Sequence, residues 1–119
     1  MLLKFFKLSE FDSPDLPGSG AKMQPDFLIK LEKARELAAI PFVINSGFRT
    51  VAHNIKVKGV ADSSHINGWA ADIKCSDPRN RFIIIKSLIS AGINRIGVAN
   101  GFIHCDSDPT KDKFVTWLY

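Results

Sequence analysis

The sequence predicts an α+β fold in which helices pack on a small, mostly antiparallel sheet, within a single domain spanning residues 1–119. Three observations carry this. Two segments repeat apolar residues at helical spacing, each opened by a proline. Several short apolar runs have strand length, and two of them are joined by the turn Ala99-Asn100-Gly101. A chain of 119 residues with 45% hydrophobic content has enough material for one core and shows no internal repeat.

The elements follow in order. Residues 9–25, with Ser13-Pro14-Asp15-Leu16-Pro17-Gly18-Ser19-Gly20, are dense in turn formers and predict an irregular surface segment. Pro25-Asp26 opens a helix whose apolar face is Phe27, Leu28, Leu31, Ala34, Leu37 and Ala38, and Pro41 ends it. Phe42-Val43-Ile44 reads as a short buried strand, and Asn45-Ser46-Gly47 as a turn presenting Phe48-Arg49-Thr50. Residues 51–58 form a short helix with His53 and Asn54, broken at Gly59; residues 63–68 are loop and Trp69 to Cys75 a strand. Asp77-Pro78 caps a second long helix with a broad apolar face of Phe82, Ile83, Ile84, Ile85, Leu88 and Ile89, ended by Gly92. Residues 93–98, 102–105 and 114–118 are three further strands, the first two forming a hairpin, with a polar loop over 106–112.

Composition removes some function classes. The net charge is +4, but the lysines are scattered, with no compact basic block or aromatic-basic stripe, which argues against nucleic-acid binding. A mildly basic surface suits an anionic polymer such as a bacterial cell wall. No apolar run reaches the ~20 residues of a membrane span, so no membrane insertion is expected. Met1 to Leu8 carries two lysines and lacks the long apolar stretch and cleavage site of a signal peptide. The two cysteines, Cys75 and Cys105, are too few for a disulfide framework and read as small buried residues.

The chemistry is concentrated in Ser63-Ser64-His65-Ile66-Asn67-Gly68-Trp69-Ala70-Ala71-Asp72-Ile73 and Phe102-Ile103-His104-Cys105-Asp106. Two imidazoles and one carboxylate, His65, Asp72 and His104, make a three-ligand set for a catalytic Zn2+ with a fourth position open. Gly68 lets the chain turn so that His65 folds back over the strand face carrying Asp72. Strand alternation puts Phe102, His104 and Asp106 on one face and turns Cys105 away from the metal. Asp106 is thereby the candidate general base beside a metal ligand. Arg49 is a candidate carboxylate clamp, because guanidinium binds carboxylates in a bidentate fork. Ser63 either hydrogen-bonds a ligand or shapes the loop. His53 reads as a surface residue.

These motifs, with Ser46-Gly47-Phe48-Arg49-Thr50, Val57-Lys58-Gly59 and Arg95-Ile96-Gly97-Val98, resemble the M15 zinc peptidases of bacteria and phages. The pattern S-x-H-x-x-G-x-A-x-D is matched by Ser63, His65, Gly68, Ala70 and Asp72, and Leu8-Ser9-Glu10-Phe11 is similar to the family's opening segment. The resemblance implies the fold shared by these peptidases and the hedgehog signalling domain. It implies one zinc per chain on His65, Asp72 and His104, with Arg49 and Ser63 contacting substrate. It implies D-alanyl-D-alanine carboxypeptidase or L-alanyl-D-glutamate endopeptidase activity on peptidoglycan stem peptides. Two positions depart from other branches: Gly101 stands where some carry an acidic base, and Phe102 where others carry a first histidine. These departures keep alive the alternative of a non-catalytic, zinc-bearing cell-wall-binding module. The expected setting is phage or prophage lysis by an endolysin: a monomer made in the cytoplasm that reaches the cell wall after holin-dependent release. Cleft walls are expected from loops 9–25 and 106–112.

Overall fold

The structure is a computed structural model describing residues 2–119. Its elements are α1 (Pro25–Ala38), β1 (Ile44–Ser46), α2 (Val51–Lys56), β2 (Ala70–Lys74), α3 (Pro78–Ser90), β3 (Arg95–Val98), β4 (Phe102–Asp106) and β5 (Val115–Leu118). The strands form one five-stranded sheet in the order β1-β2-β4-β3-β5, antiparallel except for the parallel pair β3–β5. The expected α+β class and the mostly antiparallel sheet are what the structure shows.

The helices start where the sequence says they should, for local reasons. Pro25 and Pro78 occupy first-turn positions, where a missing N–H costs nothing. The Asp77 carboxylate accepts the Asn80 N–H at 2.8 Å as a side-chain cap. α1 and α3 pack on each other, and their inner stripes (Phe27, Leu31 and Ala34; Ile84 and Leu88) join Ile73, Ile96, Ile103 and Cys105 from the sheet in one core. The apolar faces are narrower than the sequence predicts. Leu37 is 47% and Phe82 68% exposed, because a helix lying on one partner buries a stripe and both residues fall on its flank.

Three boundaries also move. The first strand begins at Ile44 rather than Phe42, although the Val43 carbonyl still accepts the Lys74 N–H at 2.8 Å. α1 ends at Ala38, capped by Ala39 in a left-handed conformation with φ 56°, before Pro41 is reached. Residues 9–25 are not merely an irregular surface segment. They fold into two 3-10 turns, Leu8–Phe11 and Ser19–Lys22, that bury Phe11 and, just beyond, Met23. The Asp12 carboxylate ties the segment together by accepting the Gly18 and Gly20 N–H groups at 3.0 and 2.7 Å.

Each central strand has two faces. Ala71, Ile73, Ile103 and Cys105 face the helices, and the opposite face carries Asp72, His104 and Asp106. Gly68 delivers the chain to that second face. Its φ is +78°, and a Cβ there would overlap the Lys22 carbonyl oxygen. Gly68→Ala is therefore expected to destabilise the fold by about 2–4 kcal/mol. The loss should appear in urea unfolding as a lower midpoint at unchanged m. Among the described residues, no helix is long and apolar enough to cross a membrane.

Candidate metal centre

The site is built on transverse rows of the sheet. Asp72 on β2 lies opposite His104 on β4; His104 lies opposite Gly97 on β3; and Gly97 lies beside Trp117 on β5. The next row runs Ala70, Asp106, Arg95 and Val115. Small residues in each row leave volume for the large polar ones. His65 comes from the loop before β2, where the Ser63 hydroxyl accepts its N–H at 3.3 Å and its carbonyl accepts the Arg49 N–H at 3.1 Å.

His65, Asp72 and His104 are all buried, and one donor atom from each lies within 4.8 Å of the others. Asp72 Oδ1 is 3.3 Å from His65 Nε2 and 3.0 Å from His104 Nδ1. The outer atoms of the trio are already held. His65 Nδ1 donates to the Gly47 carbonyl at 2.7 Å, His104 Nε2 donates to Asp106 Oδ2 at 2.7 Å, and Asp72 Oδ2 accepts from Arg49 Nη2 at 3.4 Å. A backbone carbonyl only accepts, so the His65 proton sits on Nδ1 and its Nε2 offers a lone pair inward. The Asp106 carboxylate fixes the His104 proton on Nε2 in the same way. With both rings neutral, three lone pairs meet, an arrangement that needs a positive charge at its centre.

The electrostatics agree. Burial drives His65 below its ordinary pKa despite the Asp72 carboxylate. Burial pushes Asp72 up, but the His104 and His65 imidazoles set against it outweigh this and hold the carboxyl well below the usual range. Burial pushes His104 down, and its hydrogen bonds to Asp106 and Asp72 more than reverse this, so its pKa is raised. A divalent cation at the centre would serve all three donors. Two neutral imidazoles and a carboxylate oxygen are a donor set that suits zinc.

The trio opens into a cleft of about 410 Å³ whose lining includes Arg49, Lys58, Ser63, Lys111, Trp117 and Tyr119. Arg49 donates to Ser46 Oγ at 3.0 Å and Asn54 Oδ1 at 3.2 Å as well as to Asp72. Three of its five N–H donors are thus engaged and two remain for a ligand. Ser63 shapes the loop and also lines the cleft. His53 lies on α2 outside the cleft lining. Cys75 and Cys105 are free and buried, and burial pushes the Cys105 thiol well up, so it stays protonated on the helix side of the sheet.

Asp106, the candidate base, is enclosed. It shares the His104 face, as alternation predicts, yet it is 1% exposed and both oxygens are committed. Oδ2 accepts from His104; Oδ1 accepts from Arg95 Nε at 2.7 Å and from the Asp108 N–H at 3.2 Å. The His104 ring stands between this carboxylate and the point where the three donors converge. Asp106 thus meets the trio through the His104 ring.

Loop 106–112 does wall the cleft. Lys111 lines it and donates to the Asp62 carbonyl at 2.7 Å, while Ser64 Oγ donates to Asp108 at 2.8 Å. Loop 9–25 supplies none of the lining. The sequence reading missed the roles of Arg95, Trp117 and Tyr119. No local feature of the last strand says that β5 lies beside β3. A family model described as Peptidase M15 matches residues 8–106, a span that includes Arg49, Ser63, His65, Asp72, His104 and Asp106 and stops short of β5. No curated protein matches the chain.

Proposed function

The chain belongs to the M15 peptidases, and from that premise we propose that it is a zinc-dependent peptidase cleaving peptidoglycan stem peptides, by D-Ala-D-Ala carboxypeptidase or L-Ala-D-Glu endopeptidase chemistry. The observation that carries the proposal is the inward convergence of His65 Nε2, Asp72 Oδ1 and His104 Nδ1 at the cleft, with every outer partner in place. A zinc ion held there would polarise the scissile carbonyl and acidify a water.

The chain's own residues supply the rest. Arg49 keeps Asp72 Oδ2 occupied and turns its remaining donors to a substrate carboxylate. Ser63 offers its hydroxyl at the cleft wall. Arg49, Lys58, Arg95 and Lys111 make the lining predominantly cationic, which favours a peptide bearing carboxylates. Asp106 holds the Nε2 proton of His104 and so keeps the ring's other nitrogen directed inward. The same reading assigns the protein one zinc per chain, a single-domain monomeric state, and a place in phage or prophage lysis at the cell wall after holin-dependent release.

One observation favours a second reading, a zinc-bearing module that binds cell wall without cleaving it. Among the described residues lining the cleft, the only carboxylates are Asp72 and Asp106, and both are engaged inside the protein. Defined muropeptides incubated with the native, chelated and zinc-restored protein, with products read by mass spectrometry, separate the two. Peptide cleavage that is lost on chelation and restored by zinc is the expected result. Zinc-loaded protein that binds peptidoglycan and releases nothing would establish the module, and full cleavage after zinc is stripped would overturn both.

A further inference from the structure

The His104 ring is held on three sides. Asp106 accepts its Nε2 proton at 2.7 Å. The Trp117 ring lies 5.4 Å away at 49°, and the His65 ring lies 5.2 Å away edge-on. Two of these three supports meet at one residue. Arg95 donates from Nε to Asp106 Oδ1 at 2.7 Å, and its guanidinium lies 5.2 Å from the Trp117 ring centroid. It also donates from Nη1 to the Asp112 carbonyl, which fixes the chain between β4 and β5.

The sheet explains why this works. Arg95 is opposite Asp106 across the antiparallel β3–β4 pair and beside Val115 across the parallel β3–β5 pair. Gly97, two residues along the same face, has no side chain; a Cβ there would lie 2.5 Å from Trp117 Nε1. The indole therefore lies across β3 at Gly97, between the guanidinium and the imidazole. A planar, permanently charged group is needed to meet a carboxylate in its plane and an aromatic ring on its face.

We propose that Arg95 is the positioning residue of the metal centre, locking the His104 ring through Asp106 and Trp117 so that Nδ1 faces Asp72 and His65. This rests on the zinc reading above. Partners of this kind that orient a ligand from outside are worth about 10–100-fold in metal affinity. Trp117 lies on the C-terminal strand, beyond the span matched by the family model.

The test compares zinc affinity, by competition with a chromophoric chelator, for the wild type, Arg95→Met and Arg95→Lys, alongside the visible spectrum of each protein loaded with Co2+. Arg95→Met keeps most of the stem and loses the fork; it should bind zinc about 10–100-fold more weakly and shift the cobalt bands. Arg95→Lys retains the charge without the plane, should disturb the fold least, and should fall between. A merely structural arginine would change the melting temperature and leave the cobalt spectrum alone. Zinc affinity within twofold of wild type in the folded variants, with an unchanged cobalt spectrum, overturns the assignment while leaving the metal site standing. A wild-type protein that takes up no zinc overturns both.

Discussion

His104→Ala is expected to abolish stoichiometric zinc binding and to bring stem-peptide hydrolysis down to that of the chelated wild type. The substitution removes one of three donors and also the partner of a buried carboxylate. Asp106 is 1% exposed, and without His104 its Oδ2 faces a void with no donor. The cost of stranding that oxygen is about 1–3 kcal/mol, so the variant should also unfold at lower urea. The affinity loss should exceed the roughly 100-fold upper range of outer partners, because a ligand and not its support is gone. Equilibrium dialysis against buffered zinc, followed by metal analysis of the folded protein, is the check. A folded His104→Ala protein that keeps one zinc per chain would remove His104 from the ligand set and with it the proposed mechanism.

Much of this arrangement is legible in the sequence because it is local. Pro25, Asp77-Pro78 and Gly92 mark helix ends by mechanisms that act within a few residues. Alternation along residues 70–74 and 102–106 correctly places Asp72, His104 and Asp106 on one face and Cys105 on the other. Alternation stops there. It gives the face of a side chain but not which nitrogen of a neighbouring imidazole it meets. That depends on strand register, and the pairing of Ala70 with Asp106 is settled between residues far apart in the chain. The parallel placement of β5 is equally non-local, which is why Trp117 and Tyr119 reach the cleft without any signal near them. The segment 9–25 misled for a different reason. Its turn residues are real, but Phe11 and Met23 among them are anchors, and turn chemistry alone does not say which side of a loop meets the core.

A general base and an orienting partner are the two roles open to Asp106, and Asp106→Asn decides between them. Burial pushes this carboxyl up, yet the hydrogen bond from His104, with the Arg95 charge behind it, keeps it lowered and ionised. An ionised carboxylate accepts on both oxygens, and here both are used: His104 Nε2 on one side, Arg95 Nε and the Asp108 N–H on the other. A carboxamide accepts on one side only. If its NH2 faces Arg95 and Asp108, donors meet donors in a buried site. If its NH2 faces His104, the ring must move its proton to Nδ1, the atom that should offer a lone pair to zinc. Either arrangement misdirects His104, so Asp106→Asn is expected to weaken zinc binding by about 10–100-fold. The loss of turnover should be largely recovered at saturating zinc. A general base predicts the opposite pattern, with wild-type zinc affinity and a turnover that no concentration of zinc restores. Measuring kcat across a zinc titration separates them in one experiment, since orientation acts on the occupancy of the site and proton transfer acts on the site once filled.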